Sequence, residues 1–430
     1  MIRPRSLQNK SIFVYLVSQT VSSLGDGVYV IAFVWLSLQL SGGKGIVLGG
    51  IFSIYTLGEL FFGLISGPIA DRYNKKRILI ITDIARGFLL MVLYLLTSLE
   101  VTRLVHLYIC TFLFSALSPL FHRTEFSILP HLVQKEQLLK INALLTGSKR
   151  IVRILSPMIG GIIIQLVGIK VCFLFDAMSF IFSSICISFI RFRNRPKRST
   201  MFLHVLRSMK RGYHFIVNSP FFLTLTIYAA CVNFIGAPIF PLLPLLSEKS
   251  GGGVSHYGVM LSSLSVGLTA SSFLVVFVTK LLTRIQTMLS GLSICAIAIV
   301  IMAFERNFSV VIISCFFMGI GLTFANLPIQ TLFQEKLPLD KVGVISSIAF
   351  TFAQIAMPIS MALSGFIIEL FEIKVIFTVL GTVMLIGAVV GIFLPQLRDC
   401  ECQTVVNKGE IRRPSMQQYV RTNNRTRTNQ

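Results

Sequence analysis

The chain is built from apolar blocks of about twenty residues separated by short polar breaks, and a helix of that length spans the ~30 Å hydrocarbon of a bilayer. Twelve blocks can be placed, at 11–38, 46–69, 78–97, 104–121, 142–167, 170–190, 220–245, 256–279, 285–304, 308–331, 343–368 and 372–394. Only 13% of the 430 residues are charged, while 54% are hydrophobic. A soluble domain carries roughly 25% charged residues, so this chain lacks the polar surface to cover a globule in water. The expected fold class is an all-α integral membrane protein of twelve transmembrane helices.

A formal charge of +22 could suggest nucleic acid, but its distribution points elsewhere. With the first span entered from the cytoplasm, 32 of the 39 Lys and Arg fall on cytoplasmic ends and loops. Each outer loop carries one: Lys44, Arg103, Lys170, Lys249, Arg306 and Lys374. Arg86 lies within a span. That asymmetry is the positive-inside pattern and places both termini in the cytoplasm. The excess charge orients the chain against anionic lipid heads, so membrane lipids are expected partners and nucleic acid is not. Cys110, Cys172, Cys186, Cys231, Cys295 and Cys315 sit in apolar spans, where free cysteine acts as a small hydrophobe. Cys400 and Cys402 form a lone C-x-C with no further ligands nearby, so no metal is expected. The first span is too long for a signal-peptide core.

The pattern divides the chain into a six-helix half at 1–190, a basic linker at 191–219, a second six-helix half at 220–398 and a polar tail at 399–430. The linker has no Asp or Glu, and it spaces Phe202, Val205, Leu206, Met209 and Tyr213 as one face of an amphipathic helix on the cytoplasmic surface. The tail is expected to be disordered. The halves repeat weakly: RILSPMIGG, from Arg153, precedes the middle of the fifth span, and QIAMPISMALSG, from Gln354, occupies the eleventh. Pro157 and Pro358 stand at corresponding places. Two repeated halves meeting at mid-membrane suit a rocking transporter.

Ionisable groups at bilayer depth cost several kcal/mol, so each needs a reason. Asp26 is midway along the first span and Glu59 midway along the second. Neighbouring spans could bring both to a central cavity, where a carboxylate can load and unload a proton and attract a cationic group. Alternatively, Asp26 within Gly25-Asp26-Gly27 bonds freed backbone at a helix break. Asp83 and Arg86, three apart, are expected to pair. Lys149 and Arg150 can snorkel to the cytoplasmic surface, whereas Arg153 could partner a carboxylate. Asp176 is expected to make an interhelical bond. Asn233, Asn326, Gln330 and Gln354 are polar candidates for cavity lining or helix–helix bonds. No G-x-x-x-x-G-K-[ST] loop is present, so the energy is expected to come from an ion gradient or the substrate's own, and no cofactor is expected. No Ser/His/Asp or metal constellation is readable, which disfavours an enzyme.

Between the second and third blocks lies GPIADRYNKKR. It resembles the cytoplasmic signature loop of the major facilitator superfamily, G-x-x-x-D-R-x-G-R-[KR]-x, with Gly67, Asp71, Arg72 and Arg77 matching. Asn74 replaces a glycine, and asparagine tolerates the left-handed turn that glycine would supply. The resemblance implies that these groups lock and release one arrangement of the halves. SLGDGVYVIAFVWL, from Ser23, the run from Pro130 through Leu145, RILSPMIGG and FLFDAMSF, from Phe173, are similar to the drug/proton antiporter group that includes macrolide and siderophore exporters. Pro157, Gly160 and Gly161 resemble that group's fifth-span antiporter element, G-P-x-x-G-G, with Ser156 in place of its first glycine. In the second half VTKLLTRIQ keeps Arg284 of the signature loop but no matching Asp. The resemblance implies proton-coupled efflux of drugs or amphipathic natural products by a monomer in a bacterial plasma (inner) membrane. Nutrient uptake, and a non-transporting scaffold or sensor, are the rival expectations.

Overall fold

The computed structural model describes residues 5–132, 135–190, 212–304, 307–337 and 342–394, with only the backbone of 5–11, 71, 130–132, 135, 136, 139, 342–344 and 347. The expected amphipathic linker helix falls largely outside the described residues, as does the 399–430 tail. The described residues form helices joined by short turns. The first six are α1 (Arg5–Ser41), α2 (Gly45–Arg72), α3 (Lys75–Ser98), α4 (Leu104–Leu132), α5 (Lys135–Val167) and α6 (Ile169–Phe189). The rest are α7 (Pro220–Gly236), α8 (Ile239–Lys249), α9 (Gly253–Leu281), α10 (Arg284–Phe304), α11 (Phe308–Lys336), α12 (Val342–Leu370) and α13 (Ile373–Phe393).

Twelve segments are long and apolar enough to cross a membrane, with α7 and α8 sharing the seventh, Pro220–Lys249. The break in that span is a proline effect. Pro238 has no N–H to give the Phe234 carbonyl one turn earlier. The Ser360 hydroxyl of α12 donates to that carbonyl instead, which is how a freed backbone group is matched where water is absent. Elsewhere the turns are tight. α5 and α6 are joined through Gly168 alone, at φ 98°, a conformation that only glycine adopts without strain.

Within the first half α1 packs on α5 and α6, α3 on α4 and α6, and α2 on α4; in the second, α10 packs on α11 and α13, α9 on α11, and α7 on α12. Two crossings do most of the joining between halves: α2 with α12, and α5 with α9. Both are glycine seams. A Cβ at Gly365 would lie 2.7 Å from the Gly45 carbonyl and 3.0 Å from Gly49 Cα, so the two backbones touch. A Cβ at Gly258 would meet the Pro157 carbonyl at 2.5 Å, and one at Gly161 would meet Ser255 Cα at 3.2 Å. Small residues permit this approach, which lipid-immersed helices use in place of a hydrophobic drive.

The seams share one end of the molecule, the end opposite the start of α1. There the Ile46 N–H donates to Glu369 Oε1 (3.3 Å) and the Ser255 hydroxyl to Gln165 Oε1 (2.6 Å). The halves are therefore closed at that end, and among the described residues the two glycine seams do not reach the other. Cysteines placed by Ile46→Cys and Glu369→Cys are expected to cross-link readily in this arrangement. Adding Gly365→Leu should cut the cross-linked yield several-fold, read as a gel shift.

Candidate functional site

A cavity of about 480 Å³ lies against the first half, lined by residues of α1, α2, α3, α4 and α5. Asp26 reaches it because of its flanking glycines. A Cβ at Gly25 would collide with Asp176 and Ser179 of α6, and one at Gly27 with Ser156 of α5. The missing side chains let both helices close on α1 while the residue between them faces the cavity. α1 runs unbroken from Arg5 to Ser41, so Asp26 does not repair a helix break. It makes no hydrogen bond or ion pair among the described residues; Arg86, His122, Lys149, Glu125, Asp83 and Asp176 are ionisable groups of its surroundings. It stands at the middle of the span Ile12–Ser41.

Glu59 is placed differently from the sequence expectation. It is exposed and absent from the cavity lining, one turn along α2 from Tyr55, which does line it. The register of α2 explains this. Ile51, Phe52 and Tyr55 form the wall, and the next turn carries Glu59 toward the open end, within electrostatic reach of His122. Arg153 lines the cavity and partners no carboxylate, against the expectation that it could.

Of the remaining charges at depth, Arg86 and Asp83 are paired, while Asp176 has no ion-pair partner among the described residues. Arg86 Nη2 donates to Asp83 Oδ1 at 2.5 Å with both side chains buried, 1% and 0% exposed. Its guanidinium also lies between the rings of Phe121 and Phe180, 4.1 and 4.2 Å from their centroids, where a desolvated cation gains most from the ring faces. Asp176 is wholly buried and bonds Ser179 of its own helix (2.9 Å) rather than a neighbouring helix. Gly25 backs directly onto it and has no side chain to offer it a donor.

One pair escaped the sequence reading. Glu125 bonds Lys149, and His122 Nδ1 is 3.6 Å from its other oxygen. The apolar block of the fourth span stops near residue 121, but α4 continues to Leu132 and carries Glu125 inward. The signal available was the spacing of His122 and Glu125, one turn apart, opposite a basic stretch of α5.

The signature loop shows a similar mixture. Asn74 adopts φ −68° and ψ 112°, not the left-handed turn expected, and its side chain accepts from the Lys76 and Arg77 N–H groups. Asparagine serves there as the N-cap of α3, a role its side-chain oxygen suits. Gly67 has open space where a Cβ would stand, and Arg72 and Arg77 are exposed; the side chain of Asp71 is outside the described residues. Lys75, not singled out beforehand, is buried and donates to the Ala70 carbonyl (3.1 Å) and the Ser127 hydroxyl of α4 (3.0 Å). Arg284 of the second half bonds Glu335 of α11, supplying from a neighbouring helix the carboxylate its own loop lacks.

A second cavity, of about 410 Å³, lies in the other half and is lined by Asn233, Asn326 and Gln330 among apolar residues. Asn233 also donates to the Ala353 carbonyl (3.0 Å), in the turn before Pro358. Gln354 is exposed and lines neither cavity. Of the proline–glycine element, Pro157 and Gly161 stand at the seam with α9, while Gly160 backs onto Val28 of α1. Pro358 is buried in α12, one turn before Met361, whose carbonyl backs onto Gly49. Asp83→Asn, which strands Arg86, is expected to cost about 3–5 kcal/mol of stability. Joint replacement, Asp83→Leu with Arg86→Met, should recover most of it. Thermal unfolding in detergent reads both.

Known proteins carry the same sequence pattern and the same arrangement. The chain is 24% identical over 95% of its length to an uncharacterised MFS-type transporter, YfiS, of Bacillus subtilis, of which it covers 99%. It is 22% identical to macrolide efflux protein A of Streptococcus pyogenes, across 89% of this chain and 95% of that one. It is 24% identical to the multidrug efflux pump Tap of Mycolicibacterium fortuitum, across 91% and 97%. Its helices superpose on a mutant of the nucleoside transporter NupG with a TM-score of 0.76 at 10% identity, covering 90% of this chain and 99% of that one. The Major Facilitator Superfamily sequence pattern matches residues 15–361, and with twelve membrane-length helices in two halves this chain belongs to that superfamily of transporters.

Proposed function

We propose that the protein exports drugs or amphipathic natural products in exchange for protons, by alternating access between its halves. The observation that carries this reading is Asp26: a mid-span carboxylate without an ion-pair partner among the described residues, on the wall of the first half's cavity in a fold whose halves are joined at one end. Such a group binds a proton when access and charge around it change, and rocking about the glycine seams would change both. The distribution of Lys and Arg supports termini in the cytoplasm. In that orientation the open end faces the cytoplasm, the side from which an exporter loads.

The direction of transport is supported by the relatives named for macrolide and multidrug efflux and by the proline–glycine element at the α5–α9 seam. The apolar and aromatic walls of the cavity suit an amphipathic cargo. Arg72 and Arg77 are exposed at the open end, and in this reading they engage the opposite half when that end closes. Glu59, at the turn beyond Tyr55, would lie on the path between the cavity and that opening. The protein is taken to act as a monomer, since the cavity is lined within one chain.

Everted membrane vesicles containing the protein test the coupling. Macrolides, cationic dyes, siderophores and peptide antibiotics are added in turn while lumenal pH is followed. At least one compound is expected to release protons, Asp26→Asn to reduce that release to background, and Glu59→Gln to slow it. Undiminished proton release with Asp26→Asn would refute the carboxylate coupling, and release absent across every compound would refute the cargo class.

A further inference from the structure

The cargo class can be narrowed from a second group on the same wall, an inference that rests on the cavity being the substrate site. We propose that Arg153 is the binding point for an acidic group, so that the preferred cargo is an amphipathic anion with a ring or hydrocarbon body. Arg153 stands at the middle of the 28-residue span Lys140–Val167. About 20 Å of helix separates it from either end, further than an arginine stem can snorkel. A guanidinium at that depth requires a counter-ion, water or a ligand.

Among the described residues no carboxylate serves as the counter-ion of Arg153. Lys149, one turn earlier on α5, is held by Glu125, and Arg86 by Asp83. Asp26 lines the same cavity yet forms no ion pair with Arg153, and Glu59 lies outside the lining. Arg153 has no hydrogen bond, ion pair or ring contact among the described residues, and it faces the cavity. Its planar fork of donors fits a carboxylate, sulfonate or phosphate in two parallel bonds.

The surroundings define the rest of the ligand. Tyr29, Phe33, Phe52 and Phe114 line the cavity, with Tyr29 and Phe114 stacked at 4.9 Å. They offer ring faces to an apolar body. The cavity of the other half has amides but no charged lining residue, so discrimination by charge falls to the first half. A cation of the cargo would have Asp26 to meet, and an acid would have Arg153. Asp26 can be discharged by a proton, whereas an arginine stays charged throughout, so the anionic preference is the one that persists across the cycle.

Three probes with one ring body test this: 1-naphthylacetate, 1-naphthylacetamide and 1-naphthylethylamine. Each is titrated against the purified protein in phosphatidylcholine nanodiscs, and binding is followed by calorimetry. The acetate is expected to bind at least about tenfold more tightly than the amide, the margin of one charge-assisted bidentate contact. Arg153→Gln should remove that margin, with intact folding read from an unchanged thermal unfolding temperature, while Arg153→Lys should keep part of it. Tightest binding by the amine, a margin that survives Arg153→Gln, or binding by none of the three at millimolar concentration overturns the proposal. Adding phosphatidylglycerol should leave acetate binding unchanged. Its displacement by that lipid would reassign Arg153 to a headgroup and overturn the cargo assignment. Because binding is read without flux, failure of proton exchange in vesicles and failure of this selectivity are separate results.

Discussion

The cost of placing a charge in hydrocarbon governs how the first half is assembled, because each ionised side chain there has to be matched or put to use. Arg86 is the fullest case: its charge is taken up by Asp83 along the helix and by two aromatic faces across it. Three of the helices that meet around it, α3, α4 and α6, each contribute one of those partners, so the packing of the half and the neutralisation of this cation are one arrangement. Glu125 and Lys149 do the same work between α4 and α5. Once these pairs are formed, Asp26 and Arg153 stand out as groups on the cavity wall that the fold itself does not consume.

How the halves meet follows from a different economy. Between lipid-immersed helices there is no gain from hiding apolar surface, so adhesion depends on how closely two backbones can lie. Gly45, Gly49 and Gly365 let α2 and α12 touch, and Gly161 and Gly258 do so for α5 and α9. The two seams occupy matching places in the repeat, and both lie toward the same end. Pro157 belongs to one seam through its carbonyl, and it follows Arg153 by a single turn. Any change in how α5 meets α9 therefore reaches Arg153 through one turn of helix, which ties the closure of the molecule to its cavity wall.

Much of this was legible in the sequence, and the parts that were not have physical reasons. The twelve spans follow from block length, since hydrocarbon thickness imposes it. Asp26 and the Asp83–Arg86 pair announced themselves as charges inside apolar runs, and Gly161 as a small residue beside a proline. Glu125 did not, because α4 extends past its apolar block and the pair it forms with Lys149 depends on where α5 begins. Glu59 stands one turn past Tyr55, off the cavity wall: a charge at mid-span says that a reason exists, while helix register decides which direction it faces. Asp176 was expected to reach another helix, but the glycine facing it offers no side chain, a feature of α1 that is invisible from α6. The break at Pro238 could be suspected from the proline alone, whereas its repair by Ser360, more than a hundred residues away, required the packing of α12 on α7.

The distribution of charge between the halves bears on how a rocking mechanism could be built. Alternating access moves the barrier past a site, so a titratable group on one wall is exposed to both sides in turn without a counterpart on the other. The first half carries Asp26 and Arg153, and the second carries Asn233, Asn326 and Gln330 in a largely apolar wall. Amides present both donors and acceptors and can follow a ligand of either polarity. A charged wall facing an adaptable one separates two demands that conflict when placed together: fixed charges set what the site prefers, and the neutral wall lets it accept bodies of varied shape. On the proposed mechanism ion binding and ligand selection would reside in a half whose own core is held by buried ion pairs. The opposite half is held across α7 and α12 by neutral hydrogen bonds instead, Ser360 to the Phe234 carbonyl freed by Pro238 and Asn233 to the Ala353 carbonyl.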